Sequence, residues 1–161
     1  MNVVNPLDSI RYTNVVSRKY QIHYTAMEDV IKDFVTQIVE QEATLKGPLF
    51  YSLSNVPMDE ILHIELFMPI KEDDIALTDD YYFHSYFSIE DMVSLCLFND
   101  FEAKTEVAYR VLIDYMEENK LKQITPIFHV LSGDEDFPYI YVKIGITLEE
   151  VMEKTSVDKM E

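Results

Sequence analysis

Two groups of apolar residues recur at helical spacing. Val30, Ile31, Phe34, Val35 and Ile38 fall on one face of a helix, and Val107, Ala108, Val111, Leu112 and Tyr115 repeat that stripe 77 positions later. The first helix is expected to begin at Thr25, which stands three residues before Glu28 in capping-box spacing, and to stop near Lys46-Gly47-Pro48. The second is expected to begin near Asn99 or Asp100, with Glu102 completing a cap with Asn99, and to end at Asn119. Alternating segments flank both helices. Tyr12 to Tyr24 and Tyr82 to Phe98 precede them, and Pro48 to Ser54 and Pro126 to Ser132 follow at an offset of 78. After a short acidic turn, Ile61 to Ile70 and Pro138 to Ile146 close the two halves.

The order strand, helix, strand, strand thus occurs twice, in register. It predicts an α+β fold of duplicated βαββ modules, an antiparallel sheet with helices on one face and a groove on the other. Residues 1–161 read as a single domain, with half one at about 10–70 and half two at about 82–146. The polar stretch Lys71 to Asp80 joins them. In the tail, 147–161, Thr147 and Glu150 are spaced to cap a short helix, and Ser156 to Glu161 are expected to fray.

Strand alternation sorts the side chains by face. Leu62, Ile64, Leu66, Met68 and Ile70 point one way, as do Ile140, Val142, Ile144 and Ile146, and these are assigned to the helix side. The opposite face carries His63, Glu65 and Phe67 in half one and Tyr139, Tyr141 and Lys143 in half two, joined by Gln21, His23, Ser94 and Cys96. Aligned through Ile70 and Ile146, Glu65 corresponds to Tyr141 and His63 to Tyr139. Aromatic faces around a carboxylate suit a lipophilic cation, which marks Glu65, His63, Phe67, Tyr139, Tyr141 and His23 as candidate ligand-binding residues. A solvated sheet face of ordinary tyrosine, histidine and glutamate accounts for the same pattern, and so does a homodimer interface.

Charge narrows the partners. Thirty acidic residues against thirteen basic ones give a formal net charge of −17. That sign opposes direct nucleic-acid binding, which needs a basic footprint on phosphate, and favours cationic ligands or a basic protein partner. No apolar run is long enough to span a membrane and the N-terminus lacks the blocks of a signal peptide, so no membrane association and a cytoplasmic location are expected. Cys96 is the single cysteine, which leaves no disulfide and no cysteine-based metal site.

The residues Gly47-Pro48-Leu49-Phe50-Tyr51 and Glu65-Leu66-Phe67-Met68-Pro69-Ile70 resemble the GyrI-like small-molecule-binding domains, also called AraC effector-binding domains. In half two the resemblance continues through Met92 to Leu97, Ala108-Tyr109, Tyr115-Met116 and Tyr139 to Ile146. It implies a stand-alone, bacterial-type effector-binding module with a regulatory role, related to transcription regulation, and a ligand groove between the halves. Two departures stand out. Asn99-Asp100-Phe101 lacks the glycine usual before the second helix, and Tyr141 stands where family members carry a cation-binding glutamate, so that only Glu65 keeps the acid.

Enzymatic signatures are missing. Three scattered glycines cannot build a phosphate loop, and His23, His63, His84 and His129 lack the mutual spacing of metal ligands. Cys96 within an apolar strand reads as packing. The expectation is a non-enzyme without cofactor or metal that binds a small molecule. The alternative is an acidic interaction module such as an inhibitor, adaptor or toxin-immunity protein.

Overall fold

The computed structural model of the protein describes residues 3–54 and 60–149. Six strands and two helices follow in the expected order: β1 (Asn5–His23), α1 (Met27–Glu40), β2 (Phe50–Leu53), β3 (Ile61–Pro69), β4 (Tyr81–Leu97), α2 (Phe101–Glu118), β5 (Leu121–Gly133) and β6 (Pro138–Leu148). All neighbouring strands are antiparallel, in the order β1-β3-β2-β5-β6-β4, and β4 returns to pair with β1 so that the sheet closes into a barrel. The turn expected after Ser54 and the terminal segment beyond Glu149 lie outside the described residues. Thr147, expected to cap a terminal helix, instead pairs with Lys122 inside β6.

The helices cover the outer side. Phe34 and Ile38 of α1 pack on Val16, Ile64, Leu66, Met68 and Ile70, while Ala108, Leu112 and Met116 of α2 pack on Val93, Leu95, Val142 and Ile144. The even residues of β3 and β6 therefore face helices, as their alternation predicts. The helix repeat is shifted by one residue from expectation. The buried row Ala108, Leu112, Met116 lies 78 positions after Val30, Phe34, Ile38, and Val107 is half exposed.

Both helix starts differ from the capping expectation. A 3-10 turn at Tyr24–Ala26 precedes α1 and is capped by His23, whose Nδ1 accepts the Thr25 backbone N–H (3.3 Å), while α1 itself starts after Ala26 with no side-chain cap. At α2 the N-cap Asp100 is left-handed (φ 47°), and Asn99 accepts a hydrogen bond from Lys104 Nζ instead of capping with Glu102. Helix α1 ends at Glu40, before Gly47-Pro48, because no apolar residue continues its buried stripe past Ile38 and Glu42 turns left-handed (φ 65°). Asn119 does end α2, its backbone N–H and its Nδ2 both bonding the Tyr115 carbonyl.

The two halves are related by an approximate two-fold axis that strand register locates. Arg11 of β1 pairs with Ser88 of β4, 77 positions on, and Tyr51 of β2 pairs with His129 of β5, 78 positions on. At each of these two places a residue meets its own repeat counterpart, so the axis passes through both.

Candidate ligand site

Closure of the sheet turns the face expected to be a groove into the barrel interior. All six strands contribute to it: Ile10 and Val15 from β1, Phe50 from β2, Phe67 from β3, Met92 and Phe87 from β4, Phe128 and Val130 from β5, and Tyr141 from β6. Phe50 and Phe67 stack with centroids 4.6 Å apart and planes 4° apart, and Phe87 and Phe128 tilt against both. Phe50, Phe67 and Phe128 are buried, whereas Phe87 and Tyr12 are only half-buried at the edge of the cluster. The interior is thus occupied by the chain's own aromatic rings, and its partly buried members are Tyr12 of β1, Phe87 and Ile89 of β4 and Tyr141 of β6.

Sharp backbone turns make this closure. Asn14 in β1 and Asp91 in β4, related by the repeat, are both left-handed (φ 55° and 56°). Each bends its strand and resets the alternation, so that Tyr12 and Val15 both reach the same interior cluster. Asparagine and aspartate are the residues, after glycine, that most readily accept this conformation.

Two buried serines, Ser17 and Ser94, take equivalent positions on the inner face. Ser17 Oγ lies 2.9 Å from His84 Nε2 in half one, and Ser94 donates to Asp8 Oδ2 (2.6 Å) in half two. The Lys143 ammonium completes the second arrangement, bonding Asp8 Oδ1 (3.2 Å) and the Ser9 carbonyl (2.9 Å) and lying 5.3 Å from the Tyr141 ring centre. Partial burial alone would raise the Asp8 carboxyl. The hydrogen bonds from Ser94 and the Ser9 N–H, with the Lys143 charge, outweigh it and hold the group below the usual carboxylate value.

The six candidate residues divide between interior and rim. Phe67 is a central member of the cluster. Glu65 is half-buried on the same face, in register with Lys19 on one side and Ser52 on the other, and among the described residues it makes no ion pair. Tyr141 and Tyr139 meet edge to face (5.7 Å) on β6, with Phe98 6.2 Å from Tyr139. His63 is exposed and pairs in register with Gln21. His23 stacks on Tyr24 and bonds Thr25 at the end of β1. Glu65 and Tyr141 stand on non-adjacent strands, in neighbouring cross-strand rows. Phe67, Phe50, Val130 and Tyr141 lie in one cross-strand row, and Glu65, Ser52, Phe128 and Lys143 in the next. Strands β3 and β6 are three places apart either way round the barrel. Cys96 shares the inner face beside Tyr141, and burial pushes its thiol up, which keeps it protonated and poorly nucleophilic at neutral pH.

Sequence reading missed Asp8, Ser17 and His84. Asp8 lies before Tyr12, outside the strand that apolar alternation marked, and only its pairing in the closed barrel brings it to Lys143.

The model of one family, described as a domain of unknown function (DUF5085), matches residues 11–148, nearly all of both repeats. The chain belongs to this family. No curated protein is significantly similar to this DUF5085 member in sequence. Among solved structures, the C-terminal domain of EcmrR matches with a TM-score of 0.70 at 12% identity, covering 92% of this chain and 99% of that one. EcmrR in an EcmrR–DNA complex matches at 0.74 and 12% identity over 91% of this chain, which corresponds to 57% of that longer chain. A hydrolase from Listeria innocua matches at 0.54 and 11% identity, covering 88% and 91% of the two chains. At such identities the likeness shows the fold. It agrees with the α+β architecture of duplicated βαββ modules expected from the repeats, while the family shown by sequence is DUF5085.

Proposed function

We propose that this DUF5085 protein is a regulatory ligand-binding domain that takes up an aromatic, cationic small molecule on the inner face of its sheet and binds it without chemical turnover. The observation that carries the reading is the aromatic cluster Phe50, Phe67, Phe87 and Phe128 with the half-buried Glu65 carboxylate on the same face. Stacked rings supply apolar area and negative faces, and a carboxylate in reduced dielectric supplies charge, so the pair selects for lipophilic cations. Because the rings already fill the interior, a ligand enters by displacing half-buried members of the cluster, Phe87 and Tyr12 on the β1–β4 side. Binding is then coupled to a change in how the two repeats close on each other, which is how such a domain would report its ligand.

The fold shared with the EcmrR C-terminal domain supports a regulatory role, and the charge of −17 supports a cationic ligand and argues against direct DNA contact. The test is a thermal-shift series with tetraphenylphosphonium, smaller aromatic cations and neutral aromatics, on the wild type and Glu65→Gln. Saturable stabilisation by cations that is lost in Glu65→Gln supports the reading. No stabilisation by any compound overturns it and directs attention to a basic protein partner.

A further inference from the structure

The two halves place different residues at equivalent interior positions. Ser17 pairs in register with Phe67 in half one, and Ser94 pairs with Lys143 in half two, so Lys143 stands where its repeat counterpart is an apolar ring. It is 9% exposed, which is unusual for lysine. Its ammonium does not reach out to solvent but turns inward, onto Asp8 Oδ1, the Ser9 carbonyl and the Tyr141 ring.

From this we infer that Lys143 is a built-in occupant of a cation site, its ammonium held in half two by the Asp8 carboxylate and the Tyr141 ring. The inference deepens the proposed function and rests on it, because it leaves the Glu65 carboxylate as the place for an external cation. In half two a carboxylate, a ring and a cation are all supplied by the chain. In half one the Phe67 ring takes the place of Lys143 and the Glu65 carboxylate that of Tyr141, and Glu65, opposite Lys19 in register, makes no ion pair within 4 Å among the described residues. A carboxylate and an aromatic face are the groups that hold organic ammonium ions, and an interior ammonium without them would be strongly disfavoured. The same contacts fasten β1 across the interior, since Asp8 and Ser9 lie where the β1–β4 register is broken on both sides of Asp8.

Chemical complementation tests the inference. Lys143→Ala removes the ammonium and its stem, and the vacated space is offered butylammonium, with 1-butanol as the neutral control. Thermal denaturation is followed for the wild type, Lys143→Ala and Asp8→Asn/Lys143→Ala. Butylammonium should raise the melting temperature of Lys143→Ala saturably by several degrees, while 1-butanol, the wild type and the double variant show no such rise. If Lys143→Ala does not fold alone, the readout becomes the folded fraction by circular dichroism on refolding with butylammonium or 1-butanol. Equal effects of the two compounds, or no effect of either, overturn the inference. Equilibrium dialysis of wild type with tetraphenylphosphonium should give one ion per chain, and two per chain would also overturn it. No tetraphenylphosphonium binding together with butylammonium rescue would retain the built-in occupant and remove the proposed ligand function. One bound ion without rescue would do the reverse.

Discussion

Tyr51 and His129 are repeat counterparts that stack on each other across the two-fold axis, ring centroids 4.7 Å apart and planes 19° apart. The pair lies on the helix side, where Tyr109 of α2 reaches His129 Nε2 (2.7 Å). His129 is buried and its Nδ1 has no hydrogen-bond partner among the described residues. Burial lowers its pKa to about 4 and pushes the Tyr51 hydroxyl up to about 12, so both rings are neutral around pH 7.

A pH dependence of stability follows. An unfolded histidine takes up its proton near 6.5, the folded one near 4, so between these values the unfolded chain binds more protons. Stability contributed by neutral His129 is complete above pH 6.5 and is lost as the pH falls toward 4, by at most about 3 kcal/mol. Urea denaturation across that range should show the decline, and His129→Gln should flatten it. The residual slope in His129→Gln is expected from groups such as Asp8, whose depressed pKa acts in the same direction at lower pH.

Phe50→Ala is expected to cost about 3–5 kcal/mol, because the ring is fully buried and stacked on Phe67. Phe87→Ala should cost roughly half as much, its ring being only half-buried. Denaturant titration orders the two. The reverse order would mean that the β1–β4 side is packed more tightly than the structure shows.

The β5–β6 turn depends on one glycine. Gly133 has φ +80°, and a Cβ there would lie 2.2 Å from the Phe137 carbonyl oxygen. Asp134 Oδ1 accepts the N–H groups of Asp136 and Phe137 (3.0 and 2.8 Å), which fixes the turn around that glycine. Gly133→Ala should destabilise the protein by about 1–3 kcal/mol in the same assay. A neutral effect would show that the turn has another conformation.

Much of this architecture was legible in the sequence. Alternation in Ile61 to Ile70 and Pro138 to Ile146 separated helix-facing from interior residues correctly, because one face of each strand is wholly apolar. The duplication was legible too, since matching elements recur at nearly constant offsets. Barrel closure was not. It depends on Asn14 and Asp91, single left-handed residues that reset alternation where a periodicity argument assumes it continues. The Asp8–Lys143 pair was hidden for a related reason: polar residues in β1 before Tyr12 read as solvent-facing until the register with β4 turns them inward. Glu65 and Phe67 were found because they interrupt or complete a strand pattern, whereas Ser17 and His84 belong to no pattern and meet only through long-range pairing.

Net charge gives a further expectation. With −17 on 161 residues, self-repulsion opposes the compact state, and added salt screens it. The melting temperature should rise as sodium chloride is increased from about 10 to 300 mM, where the Debye length shrinks from roughly 30 Å to below 8 Å. A fall would mean that attractive pairs such as Arg11–Glu90 and Lys143–Asp8 outweigh the repulsion.

The most direct test of ligand uptake on the inner face is an aromatic proton–carbon NMR titration of the protein with tetraphenylphosphonium. The account predicts that the Phe67 and Phe87 ring signals shift together and saturate, and that Glu65→Gln abolishes the change. Shifts confined to exposed rings such as Tyr82 and Tyr86, or no shifts at all, would contradict it.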